Sequence, residues 1–177
     1  MKNIWIVYWV VVAATVANYL TMVLWSLPKI SEAAGGSMPF DMRPSGYSFD
    51  DAQAFLIAIT DTGRDFYLHT QHLLDAFYPA LFAITVAIAL VHLLPRYWGW
   101  AFGAIAVLAA GFDYLENHAV AAMLSVETDA LTQAMVSTAN NWTLAKSVGV
   151  TLASSALLIA LCIKGFAWLR SRSTQAK

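Results

Sequence analysis

The sequence predicts an all-α integral membrane protein, an antiparallel bundle of four transmembrane helices with a short amphipathic helix in the first outer loop. Three observations lead to this fold class. Hydrophobic residues make up 59% of the 177 positions and charged residues only 12%, whereas soluble domains carry about 25%. The apolar residues form four stretches, each long enough at about 1.5 Å per residue to cross a hydrocarbon core of about 30 Å. Short connections between such stretches are typical of an antiparallel bundle.

The first predicted span covers residues 4–26, and Lys2 is the only basic residue before it. The apolar stretch exceeds the roughly 7–15 apolar residues of a signal peptide, so we expect an uncleaved span. Residues 27–62 form the first outer loop. Within it, Ser48 followed by two acids is typical of a helix start. Apolar residues then recur at helical spacing: Phe49, Ala52, Phe55, Leu56 and Ile59. This pattern predicts a short amphipathic helix over the bundle mouth or on the membrane surface.

The other three predicted spans cover residues 66–94, 99–124 and 142–168. Aromatic residues typical of a membrane interface lie in the tight connection between the second and third spans. A polar, mildly acidic loop separates the third from the fourth. Residues 169–177 form a basic tail, and the whole chain, 1–177, is expected to be a single membrane domain.

The basic residues near the span ends predict the orientation of the bundle. Six of them fall on one side: Lys2, Arg96, Lys164, Arg170, Arg172 and Lys177. Only Lys29 and Arg43 lie in the first loop, and the third loop has none. Because cytoplasmic loops carry the excess of Lys and Arg, we expect a multi-pass protein with both termini in the cytoplasm and both longer loops outside.

Several classes of function have no support in the sequence. The net charge of −1 argues against nucleic acid as a partner. A single cysteine, Cys162, excludes an intrachain disulfide and a cysteine-based metal site within one chain. The sequence contains no Gly-x-Ser-x-Gly nucleophile elbow and no glycine-rich phosphate loop.

Polar residues enter the second span along one stripe. At 3.6 residues per turn, Arg64, Tyr67, Gln71 and Asp75 share a face, and His72 lies about 60° from Asp75. A polar stripe in an apolar segment is costly unless other polar groups face it. We therefore expect polar groups from the other spans to meet this stripe.

The third span supplies Asp113, Glu116 and Asn117 at i, i+3 and i+4, on one face. At 1.5 Å per residue, its acids and Asp75 lie about 12–16 Å inside the outer ends of their spans. Further polar residues reach a similar level on the first and fourth spans: Asn18, Tyr19 and Lys146. Because three carboxylates at one depth repel one another, we expect the cluster to hold at least one proton near neutral pH.

These residues predict a polar, acid-rich pocket in the outer leaflet. Asp75, Asp113 and Glu116 are the candidates for acid/base chemistry, because Asn or Gln would join helices at a lower desolvation cost. The candidates for ligand binding line the same pocket: Asn18, Tyr19, Arg64, Tyr67, Gln71, His72, Asn117 and Lys146. Hydrogen-bonded polar residues that only hold helices together remain an alternative.

Two cofactor sites also stay open. His72 and Asp75 could face Asp113 and Glu116 and provide nitrogen and oxygen ligands for a metal, as paired motifs do in di-iron bundles. His72 and His118 could hold a b-type haem, whereas covalent attachment is excluded because Cys-x-x-Cys-His is absent. The cofactor is therefore unknown at this point.

In layout, the chain resembles the sterol-isomerase and sigma-2-receptor class, through four spans, inside termini, a long first outer loop and buried acids. The resemblance implies a lipid-like ligand bound or protonated by buried carboxylates. The leading expectation is a pocket that binds, and by acid/base chemistry acts on, a membrane lipid or small amphiphile. The rival expectation is a non-catalytic subunit or assembly factor of a larger membrane complex, and a homo-oligomer is equally compatible with the exposed apolar faces.

Overall fold

The computed structural model describes the backbone of residues 2–175 and the side chains of residues 3–172. Within this part of the chain every regular element is a helix. Four helical segments are long and apolar enough to cross a membrane: Asn3–Ala33, Asp61–Leu93, Arg96–Leu124 and Gln133–Arg172. These segments are those of an integral membrane protein, and they contain the four spans expected from the sequence, except that the second segment ends at Leu93 and not at residue 94.

The first long helix, α1, is regular over Lys2–Thr21, forms a π-helical turn at Met22–Ser26, and continues over Leu27–Ala33. It runs seven residues beyond the predicted end of the first span. Pro28 lies directly after the π-helical segment, as the second residue of the final α-helical stretch. The helix ends at Gly35 and Gly36, whose φ angles of 61° and 88° favour glycine.

The first loop contains a 3₁₀ turn, Phe40–Met42, and the helix α2, Phe49–Ala58. Ser48 begins α2 with a capping box: its hydroxyl accepts from the Asp51 amide at 3.1 Å, and its own amide donates to the Asp51 carboxylate at 2.9 Å. The Ser48 hydroxyl also donates to the Asp51 carboxylate at 2.6 Å, and this bond together with the one from the Ser48 amide holds the pKa of Asp51 below its ordinary value. The helix buries Phe55 and leaves Ile57 69% exposed.

The next two long helices are joined by Leu94 and Pro95 and pack against each other. Helix α3 comprises Asp61–Phe66, a π-helical turn at Tyr67–Gln71, and His72–Leu93. It begins five residues before the predicted span because the Thr60 hydroxyl accepts from the Gly63 amide and caps it. Helix α4, Arg96–Leu124, follows Pro95 directly.

The last helix, α5, is a single element over Gln133–Gln175. It extends well beyond the predicted span 142–168, and residues expected in the outer loop are helical because Val136 and Ala139 are buried in the core. The predicted tail, 169–177, continues this helix through Gln175, and its last two residues lie outside the described part of the chain.

The packing leaves α1 less enclosed than the other long helices. Helix α4 packs along both α3 and α5, whereas α1 packs mainly on α3. Hydrogen bonds tie α1 to α3 through Thr15, whose hydroxyl lies 2.8 Å from that of Thr85. On the other side, Gly149 of α5 allows close approach to α4, because a Cβ at this position would lie 2.8 Å from the Ala109 Cβ.

Candidate functional site

Two adjoining cavities lie between the long helices, below the first loop. Their volumes are about 290 and about 350 Å³. Both are lined by the same five residues, Tyr19, Asp41, Tyr78, Asp113 and Lys146. The Tyr19 and Tyr78 rings stack with centroids 5.9 Å apart, so α1 and α3 form an aromatic wall beside the polar groups. These cavities and their lining are the candidate site.

Lys146 of α5 is the cation of the site, and it is held by two acids of α4. Its ammonium nitrogen lies 3.4 Å from an oxygen of Asp113 and forms a closer ion pair with Glu116. The Glu116 side chain is fully buried, and its other oxygen accepts from the Thr143 hydroxyl at 2.6 Å. Burial of this charge is stable only because both oxygens have a partner.

Asp75 of α3 is held by a chain of hydrogen bonds from uncharged donors. The buried Ser26 hydroxyl donates to the side-chain oxygen of Gln71 at 2.5 Å. The Gln71 amide nitrogen donates in turn to both Asp75 oxygens, at 3.0 and 3.1 Å. Ser26 ends the π-helical turn of α1, and Gln71 ends that of α3. Such turns inside α-helices are frequent at functional sites.

Asp41 is the site residue that the sequence reasoning missed. The Phe40–Met42 turn carries it into both cavities, where its carboxylate accepts a short hydrogen bond from the buried Tyr67 hydroxyl. The anchor of this turn is Phe40, which is fully buried against the rings of Tyr47 and Phe55. An aromatic residue beside an acid in a long loop is the only sequence signal, and it is a weak one.

The aromatic residues of the first loop also close the end of the site that lies beneath this loop. The Tyr47 backbone amide donates to the Asn140 side chain of α5 at 2.8 Å, which ties the loop to that helix. Burial raises the pKa of Tyr47, so its hydroxyl stays neutral. The loop therefore acts as a roof fixed to both α2 and α5.

Most of the predicted site residues meet at these cavities or next to them. Asp75, Asp113, Tyr19 and Lys146 line the first cavity, and Glu116 lies behind Lys146. Two amides act on backbone groups: the Asn18 side chain donates to the Leu74 carbonyl at 2.9 Å, and that of Asn117 to the Asp75 carbonyl at 3.5 Å. Tyr67 and Gln71 hold Asp41 and Asp75 respectively.

Arg64 and His72 do not join this cluster. The Arg64 guanidinium donates to the backbone carbonyls of Leu124, Val126 and Leu56, so it ties the C-terminal end of α4 to α2. His72 is exposed and lines only a narrow space near Asp75. The spacing between His72 and Asp75 predicted that the imidazole would lie near the acids. The His72 side chain is instead exposed at the surface.

The described residues contain no group of three or more His, Cys, Asp or Glu side chains arranged to hold a metal ion. His72 and His118 are both exposed. The groups that face the cavities are carboxylates, one ammonium group and phenol rings, and these can bind a polar head, exchange protons and pack against an apolar chain.

Comparisons with protein-family models, with curated proteins and with solved structures found no match. Function is therefore inferred from the geometry of the site.

Proposed function

We propose that the four long helices cross the membrane as an antiparallel bundle, with both termini in the cytoplasm and both longer loops outside. The distribution of basic residues along the chain supports this orientation. In this arrangement α2 is an amphipathic helix that packs over the outer end of the bundle with Phe55 inward. The two cavities then lie in the outer leaflet, beneath the roof formed by the first loop.

We propose further that the cavities bind a small amphiphile, either a membrane lipid or a lipid-like molecule. The observation that carries this proposal is the combination of an ionic end and apolar walls in one continuous site. Asp41, Asp75 and Lys146 lie at the polar end. Phe82 and Val150 line the second cavity, which residues of all four long helices border. A head group at the polar end would leave its chain against these apolar side chains.

The sparse packing between α1 and α5 gives such a ligand a route from the lipid. Helix α1 packs mainly on α3, so the cavity wall on the α5 side is not covered by a close helix contact. The roof residues Phe40 and Phe55 are buried against one another and obstruct the direct path from the outer aqueous side. An amphiphile would therefore enter from the surrounding lipid, through the gap between α1 and α5.

If the site performs acid/base chemistry, Asp75 is the best placed of the three candidate acids. Asp113 and Glu116 are both paired with Lys146, and their protons are therefore less free to move. Among the described side chains, Asp75 takes part in no ion pair; its carboxyl group accepts from the neutral Gln71 amide and lines the cavity. Placed in this way, it can exchange a proton with a ligand.

Retention of a co-purified amphiphile tests the proposal. Native mass spectrometry of the protein extracted in dodecyl maltoside should find a bound small molecule, and Val150→Trp should abolish it by filling the second cavity. Val148→Trp is the matched control, because Val148 lies two residues away on α5 and is 60% exposed. Equal retention by the two variants, or no bound molecule in the unmodified protein, would refute the proposal.

A further inference from the structure

Acidic side chains outnumber basic ones around the cavities. Four carboxylates meet there, those of Asp41, Asp75, Asp113 and Glu116, and Lys146 is the only described cation among them. Lys146 is already engaged by two of the four, because its ammonium group pairs with Asp113 and Glu116. Among the described side chains, neither Asp41 nor Asp75 forms an ion pair.

The other described cations near the outer end are committed elsewhere. The Arg64 guanidinium is used by three backbone carbonyls, at distances of 2.9 to 3.2 Å. Arg43 donates twice to the Met38 carbonyl, at 2.8 and 2.9 Å. Lys29 lies over the Phe66 ring, 4.2 Å from its centroid. Among the described side chains, none of these three forms an ion pair with Asp41 or Asp75.

Neutral donors instead hold both free acids as hydrogen-bond acceptors. The Tyr67 hydroxyl donates to Asp41, and the Gln71 amide donates to Asp75. Ser26 fixes the orientation of the Gln71 amide, because its hydroxyl occupies the amide oxygen and leaves the nitrogen facing Asp75. Asp75 is 6% exposed and still lines the cavity, so its remaining acceptor capacity is directed into that space.

We infer, building on the proposed function, that the amphiphile carries a cationic head, an ammonium group, which binds in the cavity lined by Asp41 and Asp75. A positive head would form ion pairs with these two acids and favour their ionised forms, in a setting where Coulomb interactions are stronger than in water. A phosphate, sulfate or carboxylate head would instead bring a further acidic group to a site that already holds four. An uncharged head would give neither acid an ion-pair partner.

Three radiolabelled probes with the same tail and different heads test the inference: dodecylammonium, dodecanol and dodecyl sulfate. Each is added at a low mole fraction to the full-length protein in dodecyl maltoside micelles, and the protein-bound label is measured to saturation. We expect dodecylammonium to bind at least about tenfold more tightly than the other two, which corresponds to about 1.4 kcal/mol.

Isosteric amide variants assign the preference to the two acids. In Asp75→Asn and Asp41→Asn the new side-chain oxygen can still accept from Gln71 or Tyr67, so the fold is expected to persist, and a thermal melt in the same micelles verifies it. Each variant should lose most of the preference for dodecylammonium. Asp129→Asn is the matched control, because it makes the same charge change in the exposed Thr128–Ala130 turn.

The outcomes separate this inference from the proposed function. Saturable binding of dodecanol or dodecyl sulfate as tight as that of dodecylammonium would overturn the cationic head and leave the amphiphile pocket standing. Unchanged dodecylammonium affinity in both folded amide variants would also overturn it. Saturable binding of none of the three probes would count against the pocket itself.

Discussion

At the scale of single residues, the ion pairs of Lys146 can be tested most directly by mutation. Lys146→Met removes the only described cation beside the buried Glu116 and should destabilise the protein by about 3–5 kcal/mol, because it leaves a buried carboxylate unpaired. The double variant Lys146→Met/Glu116→Gln should recover part of that loss, since the amide carries no charge and can still accept from Thr143. Thermal denaturation in detergent measures both.

Lys164→Met provides the control for that pair, because Lys164 is exposed on the same helix and its loss should change stability by only about 0.5 kcal/mol. A Lys146→Met variant as stable as this control would mean that the buried ion pairs do not hold α4 to α5. A double variant less stable than Lys146→Met would contradict the charge argument.

The sequence identified the acids of the long helices but missed the one in the loop. Asp75, Asp113 and Glu116 could be found because an ionisable residue is conspicuous inside an apolar segment. Asp41 lies in a polar loop, where an acid is ordinary, and only the burial of Phe40 brings it to the site. Arg64 lies apart from the acids, and the sequence could not show this, because a helical stripe indicates a shared face but not which hydrogen-bond acceptors lie beside its end. Those acceptors are the free carbonyls where α4 ends, at Leu124 and Val126.

At the scale of elements, the close contact between α4 and α5 depends on Gly149. Gly149→Ala should lower stability by about 1–3 kcal/mol, because the added methyl group would meet Ala109 at a distance that requires the helices to separate. Gly165→Ala, on the same helix, should be neutral or stabilising, because no atom lies within 4 Å of its added Cβ and Ala favours helix. Melting temperatures of the two variants give the comparison.

If Gly149→Ala has the same melting temperature as Gly165→Ala, and that temperature is no lower than that of the unmodified protein, α4 and α5 have room to adjust. Asp113 and Glu116 lie on α4, and Lys146 lies on α5. If the two helices can shift relative to each other, their packing does not fix the distances of these ion pairs.

The number and type of the long helices were predictable, and their ends were not. Apolar length revealed the four segments, but α1, α3 and α5 all extend past their predicted limits. The extra turns contain polar or helix-breaking residues that tertiary packing and capping stabilise, such as Pro28, Asp61 and Asn140. The two π-helical turns, Met22–Ser26 and Tyr67–Gln71, left no sequence signal, although they position Ser26 and Gln71.

At the scale of the whole molecule, the proposed topology makes a direct prediction. In a background with Cys162 replaced, a cysteine at Thr128 should react with a membrane-impermeant maleimide added to intact cells, because the loop between α4 and α5 is placed outside. A cysteine at Ser173 should react only after the membrane is opened. The reverse labelling pattern would show that the bundle has the opposite orientation and that the cavities lie in the cytoplasmic leaflet.

The central claim is that the two cavities hold an amphiphile, and an experimental density map tests it most directly. The protein should be extracted from its own membrane into lipid nanodiscs, so that a bound molecule is not replaced by detergent. We expect elongated non-protein density with its head within hydrogen-bonding distance of Asp41 or Asp75 and its tail against Phe82 and Val150. Cavities that contain only ordered water, or that are closed by direct packing of α1 on α5, would contradict the claim.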